Sequence, residues 1–388
     1  MKLRIIAAAL LAAVAIGGEA CADVKIGFIA TLSGPAGAVG VDSLDGFRLA
    51  VALRGGTLGE ARVEVVVADD QLKPDVGVEL VKRLIQRDRV DIVIGTTFSN
   101  VLLAIAGPAL KAGKFLISPN AGPSPLAREG CDPNFFAVAF QNDQIYEPVG
   151  EFLTRKGVKR VSAMAPNYQA GKDAIAGFKR TFSGEIVQEI YTPINQLDFA
   201  AELAQVRGAN PQAVFVFYPG GHAINFVKQY AQLGLKGTIP LYSGFALVDA
   251  TVRGAQGAAA LGLLTSGNWA PDLDIPANKI FVESFVQAYS RAPSEFAMYG
   301  YDTALLLDSA IRKVKGDLHD KDGFRAALRA ADFASARGAF RFNNNHFPIQ
   351  DWYIREVVAR DGGTTLAVRE RIYTARADEL GKACAMRW

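Results

Sequence analysis

Charge imbalance is missing from this chain of 388 residues: 42 basic side chains stand against 39 acidic ones, for a formal net charge of +3. So even a balance gives no global pull toward nucleic acid or an anionic membrane. Histidine is scarce, with only His222, His319 and His346, and their spacing matches no metal site, so neither a metal nor another cofactor is expected. There is no Gly-x-Ser-x-Gly elbow and no Gly-x-Gly-x-x-Gly after a strand-like run, so the common marks of a hydrolase or a dinucleotide enzyme are absent and no catalytic residue is assigned. Long apolar runs are lacking too. Ile5–Ile16 reaches only about 18 Å as a helix, short of the roughly 30 Å of a bilayer core, and nothing after it is longer.

That short run has another reading. Lys2 and Arg4 precede it, and Ala20-Cys21-Ala22 places small residues where a signal peptidase cuts, with Asp23 as the mature start. Residues 1–22 therefore read as a cleaved signal peptide. Cys21 opens a lipoprotein alternative, which Gly18, Glu19 and Ala20 fit poorly as a lipobox. Cleavage leaves Cys131 and Cys384, and two cysteines in an exported chain are more often a disulfide than free thiols.

What is present is alternation. Strand-like runs at Val24–Ala30, Val63–Ala68, Val90–Gly95 and Phe115–Ser118 are separated by helical patterns at Ser43–Arg54, Asp75–Arg87 and Asn100–Ala112. The series restarts with a helix at Glu147–Lys156. Strands at Val161–Ala165, Glu185–Tyr191, Ala213–Tyr218 and Ile239–Ser243 then alternate with helices at Gly171–Phe182, Phe199–Arg207 and His222–Leu233. Such βαβ order implies parallel sheets with right-handed crossovers. The expected fold is α/β: two doubly wound lobes with a ligand cleft between the carboxyl ends of their strands. Helical segments Ala277–Arg291 and Ser294–Lys315 fit a chain that crosses back to its first lobe.

The strand ends carry an ordered set of short motifs. Val24-Lys25-Ile26-Gly27 leads to Leu32-Ser33-Gly34-Pro35, then Gly40 and Asp45-Gly46; Asp69-Asp70, Ile94-Gly95 and Ile117-Ser118-Pro119-Asn120-Ala121 follow. From Val24 to about Val358 the chain resembles the leucine/isoleucine/valine-binding protein family of type I periplasmic binding proteins. The resemblance implies a periplasmic receptor without catalysis, three crossovers acting as a hinge, and closure on a small ligand. It also implies a membrane permease and an ATPase as partners. A monomer is expected, with lobe 1 at 23–141 and 270–349 and lobe 2 at 142–269 and 350–388.

Candidate ligand contacts follow strand by strand. Ser33 lies in a glycine-rich turn that can approach a ligand or simply turn. Phe98 and Ser99 open a helix; the resemblance gives Ser99 a ligand carboxylate, while its plain reading is an N-cap. Asn120, Ala121 and Gly122 follow a strand, and the amino-acid binders of the family have Thr where this chain has Gly122. Tyr168 stands where the family often covers the ligand with an aromatic. Gly220 and His222 lie in another strand-to-helix turn, where His222 either caps or touches ligand.

Phe245 is the main departure, because the amino-acid binders place an acid nearby for the ligand's ammonium. A buried cation without its counter-charge costs several kcal/mol. Phe98, Phe245, Trp269, Phe296 and Tyr299 could instead wall a flat apolar body, each with core packing as its bland reading. The expected ligand is a small carboxylate without an α-amino group, of the benzoate or hydroxycinnamate kind. Asn343–Gln350 also looks like members of the family assigned to aromatic-compound uptake; its plain reading is a polar crossover. The alternatives are a branched-chain or other amino acid, or a sensor of the same fold that reports to a receptor.

Overall fold

A computed structural model describes residues 23–360 and 362–386. The expected signal peptide lies outside them. Two sheets organise the chain. The first holds β1 (Val24–Ala30), β2 (Thr57–Leu58), β3 (Ala61–Asp69), β4 (Ile92–Ile94), β5 (Phe115–Ser118) and β6 (Phe135–Ala137), in the order β2-β3-β1-β4-β5-β6. All its pairings are parallel except the short β2–β3 ladder. Helices cover both faces, so β1 is buried on both and reads as a near-continuous apolar run.

The second sheet starts with β7 (Arg160–Pro166), β8 (Glu185–Thr192), β9 (Ala213–Val216), β10 (Leu241–Gly244) and β11 (Leu264–Gly267). It is completed by β12 (Arg341–Phe342), β13 (Pro348–Arg360) and β14 (Gly363–Arg376), in the order β12-β13-β11-β10-β9-β7-β8 with β14 on β13. β7 to β11 are parallel, whereas β13 runs antiparallel to both β11 and β14. Each sheet has a point where its strand order reverses direction, at β1/β4 and at β7/β9, and the loops leaving those strands face one another.

Helices α1 (Gly37–Ala52), α2 (Pro74–Gln86), α3 (Ser99–Lys111) and α4 (Ser124–Ala127) follow strands of the first sheet. Helices α5 (Glu147–Arg155), α6 (Gln169–Thr181), α7 (Ala200–Ala209), α8 (Gly221–Gln232) and α9 (Ala250–Gln256) belong to the second. Three more, α10 (Pro276–Tyr289), α11 (Glu295–Lys313) and α12 (Lys321–Ala330), come after β11. Of these α11 returns to the first lobe and lies on α1. Glycine makes that crossing possible: a Cβ on Gly46 would strike the Ala297 carbonyl, and one on Gly300 the Ser43 carbonyl. α1 starts at Gly37, six residues before the apolar periodicity begins to show at Ser43.

The chain passes between the lobes near 138–141, 267–270 and 348–350. A buried guanidinium ties the passes together. Arg337 donates to the carbonyls of Val138 and Ala139, both at 2.8 Å, and to Gln350 Oε1 at 2.9 Å. Asp302, itself fully buried, balances its charge at 3.1 Å. Asn268 and Gln350 also donate to the Ala139 carbonyl, at 3.2 and 3.1 Å.

The C-terminal segment differs from its expected place. β13 and β14 complete the second sheet, but the chain then returns to the first lobe. Asp378 accepts from Asn343 and Asn345 at 2.9 and 3.0 Å, and Asn345 donates to the Ala127 carbonyl. Cys384 is bonded to Cys131, in the loop between α4 and β6. Residues from Asp378 onward thus sit on lobe 1, where 350–388 as a whole had been expected on lobe 2.

Candidate functional site

The facing strand-end loops enclose a cavity with about 450 Å³ of atom-free space, mouth included. A wider groove lined by Asp23, Lys114 and Lys321 lies at the opposite ends of the first sheet's strands, away from the cleft. From the first lobe, the cavity receives Val39 on α1, Thr97 to Ser99 after β4, and Asn120 and Ala121 after β5. From the second it receives Tyr168 and Ala170 after β7, Phe217 and Pro219 after β9, and Phe245 and Ala246 after β10. Phe140, Asn142, Ile145 and Tyr146 come from the first pass between lobes and the turn after it, and Phe296 from α11. No Asp, Glu, Lys, Arg or His is among these lining residues.

Two helices begin at the wall of this cavity. α3 starts from extended Phe98 and α6 from extended Tyr168, and neither start is capped by a side chain. Both therefore bring unpaired first-turn amides and the positive end of a helix dipole toward the space between the lobes. Ser99 is the first helical residue of α3, and Phe98 holds the cap position. Ser99 Oγ accepts instead from Asn142 Nδ2 at 3.1 Å. That bond uses a lone pair and leaves the hydroxyl hydrogen free to be given to an anion.

The body of the cavity is aromatic. Phe245 packs on Phe140 and Phe296 with ring centroids 5.6 and 5.3 Å apart. Across from them Phe217 lies 5.7 Å from Tyr146 and 6.2 Å from Tyr168. Burial pushes the Tyr146 phenol well above its ordinary range, so it stays a neutral hydroxyl. Asn120 closes one edge, its Nδ2 donating to the Thr97 carbonyl at 2.6 Å, while Thr97 Oγ1 accepts from the Thr31 amide at 3.0 Å.

Of the residues singled out from sequence, Phe98, Ser99, Asn120, Ala121, Tyr168, Phe245 and Phe296 line this cavity. The others lie elsewhere. Ser33 is exposed and bonds Asp69. Gly122 lies beside the cavity but presents no atom to it: its amide donates to Asn142 Oδ1 at 3.1 Å, and any Cβ there would collide with the Phe140 carbonyl. Gly220 has φ +58° and rests on Ala36 of the opposite lobe, while the Gly221 amide donates to the Pro35 carbonyl at 3.0 Å. His222 is buried behind that turn, and burial lowers its pKa. Trp269 gives its Nε1 hydrogen to Asn278 at 2.6 Å and packs on Phe281, away from the cavity. Tyr299 stands one layer back, its ring 5.5 Å from Phe140 and 5.9 Å from Phe245, its hydroxyl on Asn268.

Sequence reasoning missed Phe140, Asn142, Tyr146 and Phe217. The first three lie in or just after an irregular pass between lobes, where no periodicity marks them. Phe217 was within reach, because it sits at the end of an expected strand that points to the cleft.

The family model described as periplasmic binding protein matches residues 23–364. The chain belongs to that family. It is 31% identical over 353 residues to a Leu/Ile/Val-binding protein homolog of Brucella melitensis, covering 88% of this chain and 89% of the relative. Among solved structures it resembles a solute-binding protein of an ABC transporter from R. palustris in complex with benzoate. There the identity is 35%, the TM-score 0.90, and the cover 94% of this chain and 100% of that one. A second solute-binding protein, from Rhodopseudomonas palustris BisB5 in complex with 3,4-dihydroxybenzoic acid, is 29% identical with a TM-score of 0.85, covering 92% and 99%. Both of these structural relatives are solute-binding proteins of ABC transporters.

Proposed function

We propose that this periplasmic binding protein captures a small aromatic carboxylate, of the benzoate or hydroxybenzoate class, for an ABC uptake transporter. The observation that carries the reading is the cavity lining: aromatic rings, hydroxyls and amides, two helix starts, and no ionised side chain. Such a lining suits a flat apolar body with one anionic end. The carboxylate finds the Ser99 hydroxyl and backbone amides, and the ring finds Phe140, Phe217, Phe245 and Phe296. An α-ammonium finds no carboxylate, and leaving it uncompensated costs several kcal/mol. The bound ligands of the two similar R. palustris proteins support the same class.

Export by residues 1–22, a permease and an ATPase as partners, and action as a monomer complete the proposal. The names of the relatives favour a second reading, a branched-chain amino acid. Calorimetric titration with benzoate, 4-hydroxybenzoate and leucine separates the two. We expect heat from the aromatic acids and none from leucine. Micromolar or tighter leucine binding with silence from both acids refutes the aromatic reading.

A further inference from the structure

Behind the cavity lies a buried carboxylate that the ligand reading does not use. Asp173 is on α6 of the second lobe and is only 3% exposed. It accepts four hydrogen bonds: from the Ser124 amide at 3.1 Å, Ser124 Oγ at 2.7 Å, Gln169 Nε2 at 2.8 Å and Asn142 Nδ2 at 2.9 Å. Gln169 is on its own helix, and Asn142 lies just after the pass between lobes. Ser124 opens α4 in the first lobe, so two of the four bonds cross the cleft. Opening the lobes breaks those two and exposes Asp173 to water.

Asn142 links this carboxylate to the cavity. One hydrogen of its Nδ2 goes to Asp173 and the other to Ser99 Oγ, while its Oδ1 holds the Gly122 amide. We propose that Asp173 is a positioning residue that latches the closed form: it seizes Ser124 across the cleft and, through Asn142, orients the Ser99 hydroxyl toward the ligand. The proposal rests on the cleft being the ligand site. It assigns a division of labour there. Ligand contacts come from residues that face the cavity, and the lifetime of the closed complex comes from a carboxylate that never touches ligand. Water replaces the two interlobe bonds on opening, so the net gain from closing is modest, as a reversible hinge requires.

The test is a double-mutant cycle of Ser124→Ala and Asp173→Ala, read by stopped-flow association and dissociation of benzoate. Each variant is expected to release benzoate roughly tenfold faster, the scale of one charge-assisted hydrogen bond, with association within about twofold of wild type. The double variant should lose less than the sum of the two single variants, because they share the Ser124–Asp173 bonds, although Ser124 Oγ also accepts from Gln169 Nε2 at 3.2 Å. Wild-type dissociation in Ser124→Ala, or additive effects, overturns the latch. Equal losses of ligand-free thermal stability with unchanged dissociation mark a merely structural role and overturn it as well.

Where wild type binds none of the acids, the ligand reading fails and the latch is still measurable. Spin labels placed through Ile280→Cys and Leu233→Cys, both exposed and on opposite lobes, report lobe separation without ligand. The latch variants should then populate the closed distance less than wild type. Identical distance distributions refute it.

Discussion

Replacing Asp249 with Asn should stabilise the protein, and the gain should grow with pH. Asp249 caps α9 from the second lobe and is fully buried. One carboxylate oxygen accepts from the Thr251 amide and hydroxyl at 2.7 and 2.6 Å; the other has no hydrogen-bond partner. Burial pushes its pKa from 3.8 up to about 7; the Thr251 bonds oppose the rise, and the carboxylates of Glu295 and Asp42 across the seam add to it. The nearby Arg253 guanidinium is turned to the Val248 carbonyl. A carboxyl whose pKa is raised by folding contributes most below its unfolded pKa, and that contribution is lost as pH climbs through the folded one. Between 3.8 and about 7, the cost is roughly 2 kcal/mol at pH 5 and roughly 4 kcal/mol at pH 8. Asn keeps the capping oxygen and carries no charge. Its advantage over Asp should therefore widen by roughly 2–3 kcal/mol from pH 5 to pH 8. Urea unfolding of both proteins at the two pH values measures this difference directly. An advantage that does not change with pH shows that Asp249 is already compensated, and the argument fails.

Three further outcomes are expected. Ser99→Ala should weaken benzoate binding by roughly 1–3 kcal/mol in calorimetry, and an unchanged affinity removes its hydroxyl from the site. Gly122→Ala should cost roughly 1–3 kcal/mol of stability in urea unfolding, because its methyl meets the Phe140 carbonyl; a neutral result means the pass between lobes yields easily. Reducing the Cys131–Cys384 bond, which closes a loop across a separation of 253 positions, should lower stability by up to about 5 kcal/mol on chain entropy. Matched thermal scans with and without reductant test this, and a melting point that stays put rules it out.

Much of the architecture is legible in the pattern of apolar residues. Phe115–Ser118 is the strand read from sequence, and the helix expected at Asn100–Ala112 is α3 shifted by one residue. These elements lie inside parallel units where burial on fixed faces writes a clear period. The β13–β14 hairpin carries no such signal. Arg355 stands on its buried side, bonded to Glu295 and to the Trp269 carbonyl, so a charged residue occupies a core position. A strand that buries an ion pair does not alternate by hydropathy. The site divides in the same way. Phe98, Ser99, Asn120 and Tyr168 follow regular strands and could be placed by counting. Phe140 and Asn142 lie in the pass between lobes, where position is set by the hinge network rather than by local sequence. Depth is illegible as well: Phe245 and Tyr299 are both aromatic and buried, yet only Phe245 reaches the cavity.

The structure also shifts the weight of the argument about the ligand. From sequence, Gly122 and Phe245 together spoke against an amino acid, one by losing a hydroxyl and the other by losing a counter-charge. Gly122 has a packing reason of its own, since no side chain fits between it and the Phe140 carbonyl, and so it says little about the ligand. Phe245 gains what Gly122 loses. It sits at the junction of the Phe140 and Phe296 rings, in a lining with no carboxylate from either lobe. Asp173, behind that lining, has its four bonds filled by Ser124, Gln169 and Asn142 and is not among the residues that line the cavity. A ligand ammonium would have to displace one of those donors to reach it. On the proposed reading, the case against an amino acid rests on the whole wall rather than on two substitutions, and charge would exclude a ligand before shape does.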